Sequence, residues 1–386
     1  MQREIYFDNS ATTPLCDEAK DAMTDVINNV YGNPSSLHSL GLSAEKIVTE
    51  ARNTVLASLG VRGDNRQLIF CGSGSEANNI ALIGTYTSKK RKAGARVIIS
   101  SGEHSSIEAA ANHLSSLGAD VVRLATNKGE IDFDELQKVL SPETVMISVM
   151  LVNNETGAIY PVSDIFRVAK TICPDIICHC DAVQAYSKIK FTPKSLGADL
   201  VTVSAHKIHG PKGVAALYVS PEILKKRAIY PVIHGGQQEN GLRAGTENVI
   251  GIAGFGAAAK ALSANDNIDN VSTHILNRIS TDPSLAEIMI NRPKNAASHI
   301  INITLPSIKS ETMLHFLSGK GIFVSSGSAC SSHSGTVSRA LSAFGLSDKQ
   351  ADCSLRISIS NYNTVDEADI LCDTIADGLK SLVRIK

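Results

Sequence analysis

From about residue 66 the chain alternates short β-branched runs with longer amphipathic segments, a rhythm that leaves few folds open. Apolar run, helix, apolar run is the signature of parallel strands joined by crossover helices. The pattern predicts strands over 67–71, 96–100, 120–124, 145–152, 175–180, 200–204 and 214–219. Most are continuously apolar rather than alternating, as expected of strands covered on both faces. Between them 75–90, 105–117, 132–140 and 162–171 read as helices, some opened by Ser or Asp in capping position. The expected fold class is α/β: a large domain with a mostly parallel seven-stranded sheet covered by helices, plus a smaller α+β C-terminal domain.

At 386 residues the chain exceeds what a single core usually organises. A Gly-rich hinge over 234–245 and an Ala/Gly-rich stretch over 250–264 lead into the second unit. The expected division is 15–260 for the large domain, with 1–14 and 261–386 forming the small one. In the latter, 300–305 reads as a strand and 311–318 as a helix. The stretch 325–335 is composed almost wholly of Ser, Gly, Ala, Cys and His, and reads as a mobile loop.

Lys plus Arg (37) nearly cancels Asp plus Glu (38), so bulk charge gives no reason to expect nucleic acid or an anionic membrane as a direct partner. No apolar stretch reaches membrane-spanning length and no secretory signal opens the chain, so a cytoplasmic location is expected. The eight cysteines are thinly spread and read as free thiols. Cys173, Cys178, His179 and Cys180 have metal-binding side chains, but 176–182 reads as a buried strand where cysteine acts as a small hydrophobe. No metal is expected.

In open parallel sheets ligands bind beyond the carboxyl ends of the strands. There the sequence places Gly72-Ser73-Gly74-Ser75-Glu76, His104, Asn153-Asn154-Glu155, Asp181 with Gln184, and Ser204-Ala205-His206-Lys207. The first group opens a helix and offers N–H groups and hydroxyls to an anion. It lacks the spacing of a Walker loop and of a dinucleotide-binding fingerprint. Each group alone has an ordinary structural explanation. Together they fit one chemistry: a lysine to form a Schiff base, an acid to keep a pyridine nitrogen protonated and an anion site for a phosphate, which describes pyridoxal phosphate.

Motifs along nearly the whole chain sharpen this: Tyr6-Phe7-Asp8-Asn9-Ser10-Ala11-Thr12-Thr13, Tyr31-Gly32-Asn33-Pro34, Glu103-His104, Asn153-Asn154-Glu155-Thr156-Gly157, His206-Lys207, Arg243-Ala244-Gly245-Thr246-Glu247-Asn248 and Ser325-Ser326-Gly327-Ser328-Ala329-Cys330. With them the sequence resembles the aspartate-aminotransferase-like pyridoxal-phosphate enzymes, and within those the NifS/IscS-type cysteine desulfurases, related to class V aminotransferases. The resemblance implies pyridoxal 5'-phosphate bound to Lys207, with Asp181 at the pyridine nitrogen, Gln184 at the ring hydroxyl and His104 stacked on the ring. It implies phosphate contacts from Gly74, Ser75, Ser204 and His206, and from Thr246 of a second subunit, hence a homodimer. Arg356 is expected to bind the substrate carboxylate with Asn33 and Asn154, the last also beside the cofactor. Ala205 and His209 stand where relatives commonly carry Gly and Tyr.

The implied reaction converts L-cysteine to L-alanine. Cys330 attacks the substrate sulfur and carries it as a persulfide to an acceptor protein, an iron–sulfur scaffold or a tRNA thiolation enzyme. His104 is the expected proton acceptor, and His333 is given no role. A selenocysteine lyase or an aminotransferase on the same scaffold is the alternative, for which Cys330 would be dispensable. A non-catalytic adaptor is disfavoured by the presence of Lys207.

Overall fold

The computed structural model describes residues 4–88, 94–262, 266–326 and 338–384. Cys330 and His333 lie outside the described residues. Seven strands, β1 (Leu68–Cys71), β2 (Arg96–Ser100), β3 (Asp120–Leu124), β4 (Thr144–Ser148), β5 (Ile177–Asp181), β6 (Leu200–Ser204) and β7 (Ala215–Val219), form one sheet in the order β1-β7-β6-β5-β4-β2-β3. Six run parallel, and β7 runs against both its neighbours. Every residue of β4 to β7 is buried, which accounts for their largely apolar sequences.

The covering helices follow the 3.6-residue period. In Val162–Ile172 the side chains of Val162, Ile165, Phe166 and Ala169 recur on one buried face. Phe166 is fully buried, so truncation to alanine is expected to cost about 3–5 kcal/mol. The chain steps from β4 through β5 to β6 in one direction and from β2 to β3 in the other. The β2/β4 boundary is therefore the point of reversal, where the crevice of such a sheet opens.

One polar ladder crosses this apolar interior. His179, with no exposure, meets the Ser148 hydroxyl through Nδ1 at 2.8 Å and the Thr202 hydroxyl through Nε2 at 3.0 Å. Burial pushes its pKa down to about 3, so the ring is neutral and both nitrogens are satisfied. The ladder ties β4, β5 and β6 together two residues before the strand ends that carry Asp181 and Ser204.

A second, antiparallel sheet has the order β8 (Met289–Ile290), β9 (Ile300–Thr304), β11 (Ser354–Ser358), β10 (Ser325–Ser326). Helices Asp266–Thr281, Ser310–Ser318 and Val365–Ser381 accompany it, and Val271, Ile303, Met313, Ile357 and Leu371 share its apolar core. Ile5 and Phe7, from the other end of the chain, join the same core. Ile5–Tyr6 pairs parallel with Ile322–Phe323, and Asp8 bridges Ser358.

Two expected elements differ. The apolar run 145–152 leaves regular strand geometry after Ser148, and its second half lines the cavity described below. The helix expected over 75–90 is α-helical over Gly74–Asn79, widens into a π-turn over Ile80–Gly84, and resumes over Thr85–Ser88. At its end Gly84 allows a close approach of the chain: a Cβ there would stand 2.4 Å from the carbonyl oxygen of Tyr230, whose N–H bonds Gly84 O at 3.0 Å. Such bulges recur beside functional sites.

Candidate active site

The carboxyl ends of β4, β5 and β6 and the turn after β2 surround a cavity of about 430 Å³. Gly74, Ser75, His104, Asn154, Asp181, Gln184, Ser204, His206, Lys207 and Arg356 all line it. Ten residues selected from sequence thus meet in one place. Asn33 and Thr246 do not. Asn33 is exposed and its side chain accepts the Ser35 N–H at 2.9 Å, while Thr246 borders a separate cavity of about 100 Å³ beside Glu239 and Arg243.

Lys207 follows β6 and turns its ammonium onto main-chain oxygens, those of Ser10 and of Ala11, the latter at 2.7 Å. Gln184 Nε2 reaches the same Ser10 carbonyl at 2.9 Å. Asp181 is buried at the end of β5, where Oδ2 accepts from Asn78 Nδ2 at 2.8 Å and Oδ1 from the Val183 N–H at 3.0 Å. His104 caps the helix Ser105–Ser116, its Nδ1 accepting the Ser106 N–H at 3.2 Å. Burial lowers its pKa, the Asp181 charge opposes that, and Lys207 adds to it. His206 is driven down to about 4, first by burial and then by Lys207 and Lys212.

At the opposite wall Arg356, central in the small sheet, is 6% exposed. Its Nη2 pairs with Asp8 at 2.8 Å and its Nη1 donates to the Asn154 carbonyl at 3.0 Å. Glu155 sits alongside, its pKa raised by burial against the lowering effects of the Ser338 hydroxyl, which donates to it at 2.6 Å, and of Arg356. Behind His104 the carboxyl of Glu103 is pushed up to about 8, chiefly by burial. Its Oε1 accepts from Ser100 and from the Met150 N–H, and Oε2 has no partner among the described residues.

Sequence reasoning did not single out Asn78, Ser106, Asp8, Ser10 or Ser326 as part of the site. Asn78 lies four residues after Gly74, one helical turn further along the same face, which was the available signal. Asp8 and Ser10 stood inside a motif already noticed, but nothing local reveals that the N-terminal segment lies against Lys207 and Arg356.

The aminotransferase class-V family profile matches residues 5–371. The chain belongs to this family. Among class-V relatives, the cysteine desulfurase IscS of Dictyoglomus turgidum is 36% identical over 392 residues, covering 100% of this chain and 97% of the relative. The solved structure of a NifS-like protein superposes with a TM-score of 0.90 at 32% identity, covering 98% of this chain and 100% of the other. A structure of SspA in complex with cysteine gives a TM-score of 0.82 at 31% identity, over 93% of this chain and 100% of that one. The seven-stranded α/β architecture therefore matches that of NifS-like fold neighbours.

Proposed function

We propose that the chain is a cysteine desulfurase that holds pyridoxal 5'-phosphate at Lys207 and converts L-cysteine to L-alanine. The observation that carries the reading is the meeting of Lys207, Asp181, His104 and Arg356 on one cavity at the strand ends. The wall suits a group with a phosphate and a ring. Ser204 Oγ, Ser10 Oγ and Asn78 Oδ1 are buried polar atoms without partners among the described residues, in residues that line the cavity. The first turn after Ser73 presents N–H groups with no acceptor inside the helix.

When bound, the cofactor supplies an electron sink for charge developing on the substrate. Lys207 joins it through its amine and Asp181 holds the ring nitrogen's proton. Gln184 serves the ring hydroxyl, and His104 and Asn154 lie against the ring. Gly74, Ser75, Ser204 and His206 hold the phosphate. Arg356 receives the substrate carboxylate, a planar group matched to a guanidinium, with Asn154 assisting. Cys330, as thiolate, forms an S–S bond to the substrate sulfur as the C–S bond breaks. The electron pair stays on carbon, which is protonated to give alanine. The persulfide then passes to an acceptor protein serving iron–sulfur cluster or tRNA thiolation chemistry.

Thr246 and Asn33 do not line their own cavity, which supports a homodimer in which each serves the partner's site. A cytoplasmic setting suits free thiols; among the described residues no helix is long and apolar enough to cross a membrane. The test is the visible absorbance of purified protein with and without L-cysteine, together with alanine release. The reading predicts a cofactor band, alanine, and a persulfide lost in Cys330→Ala. A protein that neither carries nor takes up the cofactor defeats it, and full alanine production by Cys330→Ala defeats the persulfide step.

A further inference from the structure

A chain of hydrogen bonds runs through the wall of the cavity from Asp181 to His104. Asn78, 1% exposed, donates through Nδ2 to Asp181 Oδ2 at 2.8 Å and to Ser106 Oγ at 2.9 Å. Ser106 Oγ lies 2.8 Å from His104 Nδ1. The direction of every link is fixed by donor and acceptor chemistry. Reversing the Asn78 amide would turn its oxygen onto the Asp181 carboxylate, setting acceptor against acceptor, so the NH₂ group faces Asp181 and spends its second hydrogen on Ser106. Ser106 Oγ, accepting there, has its own hydrogen for Nδ1. The Ser106 backbone N–H, which can only donate, also points at Nδ1 from 3.2 Å. Two donors converge on one imidazole nitrogen, which therefore carries no hydrogen.

We infer that Asn78 and Ser106 lock His104 into the tautomer protonated at Nε2, so that in the resting protein it offers the cavity a hydrogen-bond donor rather than a base. Both are positioning residues: they act through His104. An imidazole already protonated at Nε2 takes no second proton there while Nδ1 is held as an acceptor. The expectation that His104 accepts the Cys330 thiol proton is thereby replaced. His104 donates a hydrogen bond to an electron-rich atom of the bound cofactor or substrate, and the thiol is deprotonated elsewhere. The same chain couples His104 to Asp181, since displacing Asn78 disturbs both. Only this catalytic consequence rests on the desulfurase reading; the tautomer itself does not.

The test is nitrogen NMR of cofactor-loaded protein labelled with ¹⁵N-histidine, His104→Gln identifying the His104 signals among the 11 histidines. Nδ1 is expected to read as an unprotonated acceptor and Nε2 as protonated. Ser106→Ala is expected to shift the tautomer ratio toward Nδ1–H by about 2- to 10-fold, the scale of one hydrogen bond. Asn78→Ala should move it the same way, and Ser106→Thr, which restores a hydroxyl, should return the wild-type ratio. A proton on Nδ1 in the unmutated protein, or a ratio unmoved by Ser106→Ala, overturns the inference. Failure of the desulfurase reading would register instead as absent alanine release, with the nitrogen signals unaffected.

Discussion

The two walls of the cavity are built differently. On one wall His104, Asp181 and Lys207 each stand at or just after the end of a strand of a single sheet, and the buried Ser148–His179–Thr202 ladder ties β4, β5 and β6 just below. The other wall is assembled from distant segments: Asp8 and Arg356, 348 residues apart, meet as an ion pair, and Asn154 and Ser326 come from two different sheets' margins. The first wall is positioned by sheet register before any ligand arrives. The second is held by charge, and a charged group can be exchanged for another. Asp8 occupies the guanidinium edge that a substrate carboxylate would seek, so binding there is an exchange of counter-ions rather than the filling of a gap.

The contrast can be broken most severely at the first wall. Lys207→Ala is expected to abolish the cofactor's absorbance signature and lower turnover by about 10³-fold or more, as loss of a covalent catalytic group does; absorbance and alanine release check it. At the second wall Arg356→Ala should lower kcat/KM for cysteine by about 10²–10³-fold while the cofactor band persists, and Arg356→Lys should recover only part, lacking the planar fork. Steady-state kinetics separates the two walls.

Asp8→Asn tests exchange directly. It leaves a nearly buried Arg356 with a weaker partner, so the melting temperature should fall by a few degrees, and a carboxylate-bearing substrate analogue should restore more of it than in the wild type. The smallest effect belongs to Glu103. Its folded pKa, about 8 against an ordinary 4.5, favours the protonated form, so the folded state binds the extra proton. That contribution to stability is complete below about pH 4.5 and is lost as pH rises through about 8. Glu103→Gln should flatten this decline, measured as melting temperature against pH.

The same contrast explains what sequence could reveal. Strands 96–100 and 200–204 were legible to the residue because a doubly covered strand is largely apolar, and the polar residues that follow such runs are the first wall. Lys207, Asp181 and His104 were found by that logic before any family pattern was needed. Arg356 was not: its strand, Ser-Leu-Arg-Ile-Ser, reads equally as a surface edge, and only the resemblance assigned it a task. Asn78 and Ser106 were hidden for another reason. Small polar residues early in a helix usually serve the helix itself, and their convergence on Asp181 and His104 depends on how two helices pack over the sheet.

The seam at Ile5–Tyr6 sets a timetable for biosynthesis. The carbonyls of Ser10 and Ala11 that hold Lys207 belong to a segment anchored on Phe323 and Ser358. At ribosomal speeds of roughly 5–20 residues per second, the N-terminal segment waits on the order of 20–70 s for its anchor. The large sheet can complete itself meanwhile, but the chamber beside Lys207 closes only when the two ends of the polypeptide meet. In a nascent chain Ile5–Tyr6 therefore stays without its strand partner until Ile322–Phe323 is made, and truncation before Ser358 should leave a folded sheet with an open socket.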